Sequence, residues 1–244
     1  MNTIRRIALA AGLCLACGSV AAAQSLLETK AFLNVNGGGQ TQSRTFNTTL
    51  TPVSVYGQTA TAATTASVDG GPIVDFSLGY RVIPYVPYFG VAFGYSKFSK
   101  SGSVAGAASV PSPIFFNQPA SVSIPARGAT HSERSIYVVL VGFVPLTNRI
   151  ELALSFGPSF TRVEQEFITG FSVPAGTQNV TTVSDTQSGT AKGVNAGADL
   201  TYMLVRRVGV GGFIRYNGGS VDLPAASDVK VGGFQLGAGV RLRY

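Results

Sequence analysis

The chain has 244 residues, of which 12% are charged and 45% hydrophobic, with a mean hydropathy of +0.28. That is too little charge for an ordinary water-facing surface. The length fits one β-type domain or two small ones. The longest uninterrupted apolar stretch outside the N-terminal segment, Tyr137 to Leu146, is far short of the roughly 18 residues that a membrane helix needs.

The elements follow in chain order. Arg5 and Arg6 form a basic start, Ile7 to Cys17 an apolar run, and Ala21-Ala22-Ala23 a small-residue cleavage site before Gln24. Residues 1–23 therefore read as a secretory signal peptide, too short to span a membrane. Both cysteines, Cys14 and Cys17, fall inside it, so the expected mature chain has no thiol and no disulfide.

From there the pattern has period two, the signature of strands with one apolar face. Ala31, Leu33 and Val35 alternate with Lys30, Phe32, Asn34 and Asn36. Val74, Phe76, Leu78, Tyr80 and Val82 alternate with Asp75, Ser77, Gly79 and Arg81. "YFGVAFGYS" repeats the pattern from Tyr88, and "IELALSFGPSF" from Ile150. Between those two, "SIYVVLVGFV" (135–144) is apolar on both faces, so its facing stays open. Three more segments close the series: 193–202, 208–217 and 234–244. Eight strands are predicted.

Their connections alternate in length. "IPYVP", "PLTN" and "LVRR" are short, whereas 48–66, 103–129 and 169–186 are long and rich in Thr, Ser, Ala, Gly and Pro, with a medium connection at 219–227. Short turns at one end and long loops at the other are the plan of a transmembrane β-barrel. A soluble eight-stranded barrel would put charge on the outside, but here the apolar face carries none. A cation there would cost roughly 2–4 kcal/mol at the bilayer midplane. The fold expected is all-β, an eight-stranded antiparallel up-and-down transmembrane barrel occupying 24–244 as one domain, with both termini on the periplasmic side.

With its signal peptide, eight alternating segments and the ending "FQLGAGVRLRY" (234–244), the sequence resembles the small outer-membrane β-barrel family, OmpA-transmembrane-domain-like and OmpX-like proteins. The resemblance implies a location in the bacterial outer membrane of a Gram-negative cell. It also implies that the alternating Phe234, Leu236, Val240, Leu242 and terminal Tyr244 are the signal read by the outer-membrane assembly machinery. The chain has no Trp, so Tyr and Phe must supply the aromatic girdles at both interfaces.

On the inward face this register places Lys30, Asp75, Arg81, Glu151, Asp199, Arg215, Arg241 and Arg243. An eight-stranded interior is just filled by side chains, so these charges must pair or reach water. They form either a gated small channel or a salt-bridge plug, and the narrow bore favours the plug. Glu151 and Asp199 are the expected partners of Arg241 and Arg243.

Other chemistries find little support. In "HSER", His131 and Glu133 share a strand face while Ser132 points the other way. That geometry does not make a base–nucleophile pair, so no enzyme activity is expected. No cluster suggests a metal or other cofactor. Nucleic acid is not an expected partner either, because the four outer-loop regions together carry a net charge of only +1. The most individual feature is loop 103–129, where Ile114, Phe115 and Phe116 sit among prolines 111, 113 and 119. This cluster either contacts a surface partner or folds over the barrel mouth. The expected function is structural or interactive, through membrane integrity or adhesion, with outer-membrane lipid as surroundings. A small porin-like channel is the alternative, and a lipid-modifying enzyme comes third.

Overall fold

The computed structural model describes residues 29–83, 88–174 and 176–244. The expected signal peptide, 1–23, and most of the first short turn, 84–87, lie outside the described residues. Eleven strands run through the described residues. They are β1 (Ala31–Gln40), β2 (Arg44–Thr49), β3 (Val53–Val55), β4 (Gln58–Val68), β5 (Gly71–Ile83), β6 (Tyr88–Val110), β7 (Ala120–Pro145), β8 (Ile150–Ser172), β9 (Thr181–Met203), β10 (Val208–Leu223) and β11 (Ala226–Arg243). Eight of them, all but β2, β3 and β4, close an antiparallel ring in chain order.

The seam is made by β1 and β11, in register from Phe32↔Arg243 to Gln40↔Gln235. Tyr244 completes it: its amide donates to the Ala31 carbonyl at 2.8 Å, and its carbonyl accepts from the amides of Lys30 (2.7 Å) and Ala31 (2.9 Å). Tyr244 thus continues the strand pairing. Alternation decides which face is in. Val74, Phe76, Leu78, Tyr80 and Val82 are exposed on the outside, while Asp75 and Arg81 are buried inside. A one-residue slip would exchange the two sets and put the arginines against lipid.

In the ambiguous 135–144 segment, Ser135, Tyr137, Val139, Val141 and Phe143 point inward, with Ile136, Val138 and Leu140 outward. The inward valines and Phe143 pack with Phe32, Ala92 and Ala153 in an apolar cluster inside the barrel. One face packs into this cluster and the other is exposed toward lipid, which explains why neither face of that strand is polar.

The long loops are mostly strand. β6 and β7 extend for 23 and 26 residues, and β2, β3 and β4 together occupy most of 48–66. The reason lies in small residues that keep period two. In β4, Ala60, Ala62, Thr64, Ala66 and Val68 are buried, whereas Thr59, Thr61, Ala63 and Thr65 are exposed. Beyond the end of β5, β4 takes its place beside β6, from Thr61↔Ser109 to Ser67↔Ser103. β2 then pairs with β4. Together with the outer parts of β6, β8, β10 and β11, these strands enclose a second apolar core, which includes Phe46, Phe98, Val104, Phe167 and Val231.

The β7–β8 ladder reaches outward only to His131↔Gln165. Above it the two edges diverge, and Glu166 bridges them by accepting from the Thr130 amide at 3.2 Å and facing Arg127 at 3.5 Å.

Candidate functional site

The barrel interior is filled by a chain of charged and amide side chains, best followed from the short-turn end. There Glu151 is shared by two arginines, with Arg81 at 2.5 Å and Arg243 at 3.7 Å. Arg243 also donates to the Asn34 amide oxygen (2.8 Å) and to the Thr201 hydroxyl (3.2 Å). The guanidinium carbon of Arg81 lies 4.3 Å from the centre of the Phe143 ring, and Phe143 meets Phe32 edge-on at 5.3 Å. One step further along β11, Arg241 grips Asp199 through two bonds, at 3.0 and 2.5 Å, and reaches the Asn36 oxygen at 2.5 Å. Two-pronged contacts of this kind fix geometry as well as charge.

Asn36 passes the chain on by donating to Asp75 at 2.8 Å. Asp75 also pairs with Arg215 (2.9 Å) and accepts the Tyr137 hydroxyl proton at 2.7 Å. Arg215 donates to that same hydroxyl at 2.6 Å and to the Gln235 oxygen at 2.8 and 3.1 Å. Above it, Asn217, Ser135 and Thr161 form a small hydroxyl–amide group. A cavity of about 60 Å³ lies beside these layers, bordered by Asn36, Asp75, Asn195 and Arg215. That is room for a few water molecules, roughly, and the site is polar enough to hold them.

The innermost layer before the outer apolar core centres on Glu133. Its carboxylate is bonded to Arg44 and to His131 Nε2 (3.0 Å), and it accepts the Gly232 amide at 2.9 Å. Gly232 and Gly233 have φ of +80° and +130°, and a Cβ on Gly232 would lie 1.8 Å from the Asn217 carbonyl oxygen. Only glycine allows that bend, and the bend is what turns the amide toward Glu133. His131 Nδ1 faces the Gln165 oxygen at 2.7 Å, while the Gln165 amide nitrogen donates to the Glu166 carbonyl. Phe46 stacks on the imidazole at 6.2 Å.

Of the eight charges placed inward by the sequence, seven are joined in this chain. Lys30 is not: it is exposed at the short-turn rim and has no ion pair among the described residues. Sequence reasoning missed Arg44, which lies between the first predicted strand and the 48–66 connection, and Tyr137, hidden in a strand apolar on both faces. It also set His131 and Glu133 aside as incidental; their shared parity with Tyr137 was the available signal. Ser132 points outward, away from His131.

Two further features lie on the outside. On the closing strand Phe234, Leu236, Val240 and Tyr244 are exposed to the lipid side, and Leu242 is half-buried there. At the distal tip of the β6–β7 hairpin, Ile114, Phe115 and Phe116 are 80%, 59% and 74% exposed. They do not fold over the mouth. The Ser112 hydroxyl accepts from the amides of Ile114 (3.2 Å) and Phe115 (3.1 Å), and the Asn117 amide donates to Gln58 at 3.0 Å. The turn is pinned while its three apolar side chains point away. At the β10–β11 tip, a hydrogen bond from Lys230 holds the exposed Asp228 carboxyl below its ordinary range.

No curated protein sequence matches the chain significantly. Among solved structures it is similar to neisserial surface protein A, with 14% identity and a TM-score of 0.47, over 88% of this chain and 97% of that one. It is also similar to the outer membrane protein OprG of Pseudomonas aeruginosa, with 12% identity and a TM-score of 0.49, over 91% and 99% of the two chains. A third is the outer membrane protease OmpT of Escherichia coli, with 11% identity and a TM-score of 0.43, over 89% and 100%. Residues 9–241 match the family described as outer membrane protein beta-barrel domain. The closed ring, the lipid-facing apolar exterior and that match agree: this chain is a β-barrel of the bacterial outer membrane and belongs to the outer membrane protein beta-barrel domain family.

Proposed function

We propose that the protein is a closed, rigid barrel that presents a contact surface to the outside, rather than a pore or an enzyme. The observation that carries this reading is the pinned tip of the β6–β7 hairpin. Three consecutive large apolar residues are held out in solution by a turn in which the Ser112 hydroxyl accepts from two backbone amides. Exposed apolar clusters of this kind mark sites where a partner or a membrane is met. A ladder running from the barrel to Val110↔Ala120 supports the tip, so a partner would dock on a preorganised surface at small entropic cost. The lumen supports the same reading, because its charges are spent on one another and apolar side chains close its outer end. The paired, lipid-facing end of β11 fits its proposed role as the segment engaged by the assembly machinery.

The test is a surface-binding assay on cells displaying the protein, comparing wild type with the Ile114→Ser, Phe115→Ser, Phe116→Ser triple variant. Loss of attachment to host-cell or abiotic hydrophobic surfaces, with unchanged heat-dependent gel migration, is the expected result. Equal attachment would reject the tip as the contact surface.

A further inference from the structure

One sector of the outer wall carries no charge from the hydrocarbon band to well above it. Within the membrane this sector is β1 and β5, whose outward residues Val35, Val74, Phe76 and Leu78 are exposed and apolar. Gly37 on β1 stands across from Val74. A Cβ added at Gly37 would meet nothing within 4 Å, so the wall is flat at that level. Further out, the wall continues as β2 and β4, which pair with each other. Their outward residues lie in the rows Thr45↔Ser67, Asn47↔Thr65 and Thr49↔Ala63. Ser103, Ala105 and Ala107 extend the same face onto β6. The Thr65 hydroxyl donates to the Asn47 oxygen at 3.0 Å, and the Ser67 and Ser103 hydroxyls share a bond at 2.9 Å.

Residues 45–68 contain no Asp, Glu, Lys or Arg, and neither do 101–126. Arg44, at the start of β2, is turned inward to Glu133. The nearest exposed charges, Asp69, Lys97 and Lys100, stand at the border of the face. The opposite side of the ring is different: Arg162, Asp185 and Lys192 are exposed on β8 and β9. A surface that meets water normally carries both signs of charge, whereas the centre of a protein interface is where charge is depleted.

The height of the strip selects its partner. Lipid matches only the lower, apolar half, and a soluble protein only the upper, hydroxyl-bearing half. A second copy in the same membrane, related by a two-fold axis along the membrane normal, matches both, because every level then meets its own level. Hydroxyls donate as well as accept, so a hydroxyl face complements itself, and without charge it does not repel itself. By strand spacing the β2–β4–β6 face covers about 14 Å by 23 Å, roughly 300 Å², and the β1–β5 wall below adds about as much. Neither half reaches the size of a specific interface, but their sum of roughly 600 Å² per partner comes to its lower end. We infer that this charge-free strip is the contact between two copies of the chain standing side by side in the outer membrane. With the axis between β1 and β5, Val74 of each copy meets the flat wall at Gly37 of the other, and β4 meets β2. Lys97 and Lys100, on β6, stay apart from their own counterparts. This contact is independent of the one proposed for the hairpin tip.

The experiment uses the full chain, fluorescently labelled and folded into vesicles of phosphatidylethanolamine and phosphatidylglycerol. Copies per particle are counted by stepwise photobleaching over a range of protein-to-lipid ratios. Wild type is expected to give two-step particles in excess of chance co-occupancy, rising with its density in the membrane. Thr61→Arg with Thr65→Arg leaves unpaired charge inside the contact, so the dissociation constant should rise about tenfold or more. Gly37→Phe, which stands a ring out from the flat wall, should weaken pairing in the same direction. Thr186→Arg with Ser188→Arg, the same charges on β9, should pair like wild type, and so should the Ile114→Ser, Phe115→Ser, Phe116→Ser tip variant. Heat-dependent gel migration checks that each variant is folded, and Thr61→Arg alone replaces the double variant if that one is not. Chance-level pairing in wild type would overturn the contact, as would pairing that survives both strip variants. An equal loss in the β9 variant would reduce the effect to added charge and overturn it too. Loss in the tip variant alone would move the pairing to the hairpin and reject the strip.

Discussion

At the scale of single residues, Glu151 is the most exacting position in the interior. It is buried and stands between two buried arginines, Arg81 and Arg243. Taking one partner from a buried ion pair leaves an uncompensated charge and costs about 3–5 kcal/mol. Glu151→Gln keeps the shape and removes the charge, so the urea midpoint of the folded barrel in detergent micelles should fall markedly. A midpoint matching wild type would mean that both arginines reach water at the rim. The sequence made Glu151 legible because it interrupts an otherwise apolar alternating strand. Arg44 was not legible: it lies past the first strand in a polar stretch, and only the return of β2 into the mouth brings it to Glu133.

At the scale of elements, the strands fit each other through pairs of aromatic rings and glycines. The Tyr137 ring on β7 lies over Gly94 on β6, where a Cβ would come within 2.1 Å of it. Covering a strand glycine with a ring pins register. Gly94→Val should therefore reduce the fraction of chain that migrates as folded barrel on unheated gels. Gly37 is the counterpart, since a Cβ there meets nothing within 4 Å, and Gly37→Val should fold like wild type. If both variants fold equally well, the Tyr137–Gly94 contact does not set register. Period-two patterning revealed the eight ring strands because each has one face of large apolar residues. It concealed β4 and the outer parts of β6 and β7, where Ala, Ser and Thr keep the period without the contrast in size or polarity.

At the scale of the whole molecule, two different seals occupy one bore. The ion-pair layers fill the membrane-embedded part, and the β2–β4 excursion helps to build the apolar core above them. Planar-bilayer recordings of the wild type should therefore show no steady conductance. Deleting residues 43–68 removes Arg44 and Phe46 from the mouth and should produce measurable openings. Steady conductance in the wild type would instead favour the channel reading and enlarge the role of the 60 Å³ cavity.

By itself the sequence determined the architecture and its facing, because a barrel in lipid must hide every inward charge and bare every outward apolar side chain. That requirement writes itself on the chain every second residue, down to the closing Tyr244. Which charges meet, and what closes the outer mouth, were decided only in three dimensions. Asp75 and Arg215 are 140 positions apart in the chain, and Arg44 and Glu133 are 89 apart. Such partners are chosen by strand stagger and by the path of the β2–β4 excursion, neither of which leaves a local pattern in the sequence.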